Sequence, residues 1–171
     1  MSSSIDINQN NSPRNLFAEL LKKRDEQRED VNNAPPIIYG DELPLELNQM
    51  GYYRWYLHPG IKNQGNRSSL FWVQEIPPLS SSGKLKSGGG QIFIIWQGNG
   101  YSMVNDVKYE WGQYDALYIP IIHGGSTYKH FNSDADNWAK IICCEPVYID
   151  SMGVDKASGF EVLENSPDYK P

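Results

Sequence analysis

Tyr128, His130 and Asn132 stand at every second position of the run S-T-Y-K-H-F-N. Alternate residues of a β-strand point to one face, so a strand here turns a phenol, an imidazole and an amide the same way. His130 has the side-chain type that ordinarily titrates nearest neutrality, and is expected to act as general acid or base. Tyr128 could donate to a carbonyl or phenolate oxygen. These two are the expected catalytic residues. A second run, Gln91–Gln97, sends Gln91, Phe93 and Ile95 to one face. Gln91 would orient a ligand by giving and accepting hydrogen bonds together, beside the apolar wall that small-molecule pockets usually have. Arg54 is a candidate clamp for a ligand carboxylate, since its planar fork suits bidentate binding. Its plainer use is to pair with an acidic residue on the sheet surface. His123 lies in the turn before Ser126 and could swing toward a barrel mouth, while His58 reads as a structural partner before Pro59.

Strands must hold these groups. Gly112 and Asp115 open an apolar run that ends at Pro120, and Gly124-Gly125 turns the chain into the Tyr128 run. Similar runs recur at Tyr52–His58, Leu70–Ile76, Gln91–Gln97, Gly100–Val104, Val107–Trp111, Ala116–Pro120, Ser126–Phe131 and Trp138–Glu145. Gly98-Asn99-Gly100 and Asn105-Asp106 are tight-turn sequences between them. Many short strands without helical periodicity predict an all-β fold, either a closed barrel or a double-sheet jelly roll. Ile37-Ile38-Tyr39 could add an edge strand.

Four regions follow. Residues 1–12, rich in Ser and Asn, are expected to be disordered. Region 13–33 is an N-terminal helix, with Ser12 as cap and Pro13 at its first position. Leu16, Phe17, Leu20 and Leu21 form a stripe expected to pack, and Glu19 is spaced to pair with Lys23. Residues 34–150 make the barrel. Residues 151–171 are a C-terminal extension packed on it, with Gly159–Leu163 as an apolar patch docked outside. Within the barrel, Ser80–Gly90 is Ser-, Gly- and Lys-rich and reads as a long flexible connection. Its alternative is a lid that lends Lys84 or Lys86 to an acidic ligand.

The 171 residues carry a net charge of −6, which leaves no basic footprint for nucleic acid. No apolar run approaches the roughly 20 residues that span a bilayer, and the N-terminus lacks the order of a signal peptide. A cytoplasmic protein with no membrane partner is expected. The only cysteines, Cys143 and Cys144, are adjacent in a strand and so point to opposite faces, as two reduced thiols. No C-x-x-C, H-E-x-x-H or P-loop pattern occurs.

Within residues 70–146, the pattern Gly112-Gln113-Tyr114-Asp115, Pro120 and His130-Phe131-Asn132 resembles the second motif of the cupins. That superfamily of small barrels includes dioxygenases, isomerases, decarboxylases and sugar-binding proteins. Arg54-Trp55-Tyr56-Leu57-His58-Pro59, Gln74-Glu75-Ile76-Pro77-Pro78 and the ending H-F-N are similar to single-domain bacterial cupins described as gentisate-dioxygenase-like. The resemblance implies a cupin-type double-stranded β-helix, a jelly-roll barrel with an N-terminal helix, and a possible homodimer paired through outer strands.

It also implies a metal site that this sequence departs from. Metal-binding cupins supply H-x-H, a Glu six residues short of a Gly, and a third His four residues before an Asn. Gln91 stands in the Glu position before Gly98, Tyr128 stands where the third His would be, and only Lys84, Leu85, Lys86 and Ser87 are near the H-x-H place. An amide is a weak ligand, a protonated lysine is none, and tyrosine must first lose a proton of pKa ~10. The implied site therefore lacks the usual metal. His130 is the best candidate ligand if Fe(II) or another divalent transition metal is held, with His123 and His58 able to join it.

Two functions from different classes follow. One is a metal-free barrel that binds a small aromatic or carboxylated metabolite, with acid-base chemistry by His130 and Tyr128 where it turns over. The other is an Fe(II)-dependent gentisate-like ring-cleaving dioxygenase with unconventional ligands including His130. A barrel plugged by its own side chains is a third, blander reading.

Overall fold

The structure, a computed structural model, describes residues 14–66, 68–88, 90–147 and 161–170. One helix, α1 (Leu16–Asn32), precedes β1 (Glu46–Asn48), β2 (Gly51–Leu57), β3 (Ser69–Ile76) and β4 (Lys84–Ser87). There follow β5 (Ile92–Gln97), β6 (Gly100–Val104), β7 (Val107–Trp111), β8 (Ala116–Tyr118), β9 (Ser126–Asn132), β10 (Ala139–Pro146) and β11 (Glu161–Glu164). The eight strand runs read from alternation all form strands, with ends displaced by no more than two residues.

The strands make two antiparallel sheets, ordered β1-β2-β3-β10-β5-β8 and β11-β4-β9-β6-β7. Among the described residues no ladder joins the sheets, so the arrangement is an open double-sheet jelly roll. Alternation places the core between them. Along β9, Ser126, Tyr128, His130 and Asn132 are buried, while the residues between them are half-exposed. Along β5, Phe93 and Ile95 point in and Ile92, Ile94 and Trp96 point out. The two inner faces meet at Phe93 and Tyr128, whose ring centroids are 5.2 Å apart. Asn105 and Asp106 both take positive φ, 49° and 64°, as a primed two-residue hairpin requires between β6 and β7.

Three expectations need correction. Ser80–Gly90 is not one flexible connection, because β4 is hydrogen-bonded on both sides, to β9 and β11. Its K-L-K-S alternation buries Leu85 and Ser87 and leaves Lys84 and Lys86 half-exposed, so the lysines face away from the interior. Second, α1 buries no residue, and Leu16, Phe17 and Leu20 stay exposed, since the two sheets complete the core without them. Its cap is Asn15, which accepts from the Ala18 amide at 3.0 Å; Ser12 and Pro13 lie outside the described residues. Glu19 pairs with Arg14 at 2.7 Å, not with Lys23. Third, residues 37–39 form no strand.

Cys143 is buried and Cys144 exposed, and both are free. After β11, the chain returns to the barrel. Ser166 donates through its amide to Gln49 O at 2.7 Å and through its hydroxyl to Ser81 O at 3.0 Å. Among the described residues, no helix is long and apolar enough to cross a membrane.

Candidate ligand-binding site

Between the sheets lies a cavity of about 450 Å³. Gln91 and Tyr128 line it, as do Tyr53, Trp55 and Trp72 from β2 and β3, Leu85 from β4 and Glu145 from β10. Its rim is built from elements that carry no periodic signal: β1, the turn to Met50, and the tail through Val162 and Tyr169. The aromatic wall is close-packed, with Tyr53 and Trp72 stacked at 5.6 Å and Trp55 and Trp72 tilted at 5.3 Å.

The polar groups on this lining are under-satisfied. Gln91 is 1% exposed; its Oε1 accepts from Ser87 Oγ at 2.9 Å, while its Nε2 lies beside Glu145 and Tyr128 without a well-formed hydrogen bond to either. Tyr128 OH and Trp72 Nε1 are likewise buried, with Gln91 and Tyr53 as polar neighbours but no well-formed hydrogen bond. Buried polar groups nearly always find a partner, so three such donors on one cavity need explaining. Burial holds the Tyr128 phenol well above its ordinary pKa, and does the same to Tyr53. Glu145 is the residue missed in the sequence. It follows Cys143 on the inward face of β10, and burial lifts its carboxyl to about 7, with hydrogen bonding from the Gln91 side chain opposing that rise. The signal was available: an acidic residue at an inward position of an alternating strand. The end of the strand disguised it.

The other expected site residues fall elsewhere. Phe93 and Ile95 point inward as read, but they pack in the core behind the lining. His130 is there too, wholly buried, with the Phe93 ring edge-on at 4.7 Å. Its Nδ1 lies 2.7 Å from Ser102 Oγ, which also accepts from Trp111 Nε1 at 2.8 Å. The indole is a donor only, so Ser102 Oγ accepts from it; a serine proton given to Nδ1 would leave the imidazole proton on Nε2, which is buried without a partner. Burial depresses the ring to about 3. That corrects the expected titration near neutrality: with no charge partner to offset desolvation, the ring is neutral at ordinary pH. Asn132 is consumed structurally, its amide nitrogen within 3.0 Å of the carbonyls of Ile76, Pro77 and Asn137.

Arg54 is on the outer face, where Nε donates to Glu75 Oε1 at 2.6 Å and Nη1 to Leu43 O at 2.7 Å. It is therefore the surface pair, not a clamp inside the barrel. His123 is exposed in its turn. His58 Nδ1 accepts from the Gly60 amide at 3.0 Å, the structural part expected of it. The three histidines do not converge, and among the described residues no three His, Cys, Asp or Glu side chains gather where an ion could sit.

The positions that would hold a cupin metal also fail on donor chemistry. Gln91 Oε1 is engaged by Ser87, the Tyr128 phenol is kept protonated by burial, and His130 is sealed in the core with Ser102 at its Nδ1. Leu85 and Ser87 fill the two inward positions on β4. These residues do not fit a divalent transition metal.

No protein-family model matches this sequence, and no curated protein matches it. Solved structures do match it in shape. It is similar to the polyketide cyclase RemF from Streptomyces resistomycificus, with TM-score 0.55 and 13% identity, over 66% of this chain and 79% of that one. A predicted oxalate decarboxylase from Thermotoga maritima gives TM-score 0.51 and 20% identity, over 63% of this chain and 96% of that one. A cupin-like protein from the same organism gives TM-score 0.50 and 15% identity, over 70% and 87%. The fold is that of the cupins. At these identities the likeness speaks for architecture alone, and chemistry must come from the site.

Proposed function

We propose that this protein binds a small aromatic or carboxylated metabolite in the cavity between its sheets, without the usual cupin metal. What supports the reading is that three buried donors on one aromatic-walled cavity, Gln91 Nε2, Tyr128 OH and Trp72 Nε1, have polar neighbours but no well-formed hydrogen bond. Each unmet donor costs about 1–3 kcal/mol, and oxygen acceptors of a bound ligand would relieve that cost. A flat ring would lie against Tyr53, Trp55 and Trp72, as rings do in apolar pockets. Phe93, Ile95 and His130 brace Tyr128 from behind. In this reading Tyr128 is a hydrogen-bond donor to the ligand, and His130 is a neutral prop for it. The fold also carries a polyketide cyclase and a predicted oxalate decarboxylase, with which a small-molecule role agrees.

The test is titration with benzoate, 4-hydroxybenzoate and gentisate, followed by tryptophan fluorescence, because Trp55 and Trp72 line the cavity. Saturable binding of at least one compound is expected, weakened about tenfold (roughly 1.4 kcal/mol) or more by Tyr128→Phe or Gln91→Ala. No saturation and no melting shift with any of them would count against the reading. Stoichiometric iron, manganese or nickel on protein purified without chelator, lost in His130→Ala, would overturn it in favour of a metal-dependent dioxygenase.

A further inference from the structure

Deep in the cavity one buried carboxyl stands among donors, while the carboxyl of Glu46 lines it from the exposed strand β1. Gln91, Tyr128 and Trp72 bring N–H and O–H groups, whereas Glu145, 6% exposed, brings a carboxyl. The titratable groups around that carboxyl are Tyr53 on β2, Tyr128 on β9, Cys143 on its own strand, Glu46 on β1 and Tyr169 of the tail. No lysine or arginine lines the cavity, and among the described residues Glu145 makes no ion pair. A carboxyl kept from water without a cation is costly to hold as a structural element. Gln91 and Trp72 come from the strands that flank β10 and Tyr128 from the other sheet, so the carboxyl and the donors share one cavity in the layout of a base beside an oxyanion site.

We propose that Glu145 is a catalytic base, and that the cavity enolises a carbonyl compound carrying an acidic α-hydrogen. This rests on the reading of the cavity as the ligand site. Glu145 carboxylate takes the α-proton, the C–H electron pair becomes the C=C bond, and the carbonyl π pair moves onto oxygen. That oxygen is held by Tyr128 OH and Gln91 Nε2, with Trp72 Nε1 in reserve. The protonated Glu145 then returns its proton to carbon, so the enzyme is restored and no oxidant or reductant is needed. A general base works best when its pKa lies near the working pH, and burial sets the Glu145 carboxyl at about 7.

Phenylpyruvate and phenylacetone are suitable probes, since each joins an aromatic ring to a carbonyl with benzylic α-hydrogens. Proton NMR in D2O reads loss of the α-hydrogens, and tryptophan fluorescence reads binding separately. Exchange above the buffer rate is expected with at least one probe, rising with pH through a limb near 7 in the unmodified protein. Glu145→Gln should keep binding and lose exchange about 100-fold or more. Binding without exchange, exchange unchanged in Glu145→Gln, or a profile flat from pH 6 to 8 would overturn the base while leaving the binding site in place. Absence of binding as well would overturn both.

Discussion

The hydroxyl oxygen of Ser102 lies 2.7 Å from Nδ1 of His130, so the direction of this one contact sets which imidazole nitrogen keeps a hydrogen. Ser102 in turn accepts from the Trp111 indole at 2.8 Å. A serine on β6 thus ties the end of β7 to the middle of β9. Ser102→Ala should strand two buried polar atoms and lower unfolding stability by about 1–3 kcal/mol, measured by urea denaturation. In imidazole nitrogen NMR the native protein should show a single tautomer protonated on Nε2, and the variant should lose that uniformity.

His130 and Glu145 should pull stability in opposite directions with pH. The imidazole is depressed to about 3 in the folded state, from 6.5. Its contribution is present above 6.5 and is lost as pH falls toward 3. The carboxyl is raised to about 7, from 4.5. Its contribution is complete below 4.5 and is lost as pH rises through 7. Each tenfold change in proton affinity on folding is worth roughly 1.4 kcal/mol, an upper scale for either group. Unfolding of the two single variants across pH 4 to 9 separates them. Glu145→Gln should be more stable than the parent above pH 7, and His130→Gln should lose less of its own stability on the acid side.

Arg54 should matter to folding and not to the ligand. Glu75 is 8% exposed and sits between Arg54 Nε at 2.6 Å and Lys140 Nζ at 3.9 Å. Arg54→Ala leaves that carboxylate with its more distant partner alone, at an expected cost of about 1–3 kcal/mol in urea denaturation. Affinity for any aromatic acid found by fluorescence should stay within twofold of the parent value. A large loss of affinity would restore Arg54 as a clamp.

Legibility from sequence divides along physical lines. The eight periodic strands were readable because each buries one face, and a period of two cannot shift without exposing the core. The inward set on β5 and β9 followed from the same rule. β4 is hidden because Ser80–Gly90 has the composition of a linker, and K-L-K-S offers only two inward residues as a signal. The stripe on α1 was correctly seen as helical, yet periodicity cannot say whether a partner surface exists. Which inward residues meet a cavity and which meet neighbours was also beyond pattern. Gln91 and Phe93 share a face two residues apart, and only the packing of the opposite sheet separates them into lining and core. The titration of His130 is not legible for a related reason, since its pKa depends on burial among rings brought together from other strands.

The adjacent cysteines give the site a built-in spectroscopic handle. Cys143 is sealed inside, its thiol pushed well above its usual range by burial, while its neighbour Cys144 opens to solvent on the far side of the same strand. A thiol-directed dye should therefore couple once per chain, at Cys144, one residue along the backbone from Glu145. Attached there, the label would report strain in the cavity wall as a ligand enters, with no engineered cysteine and without crowding the cavity.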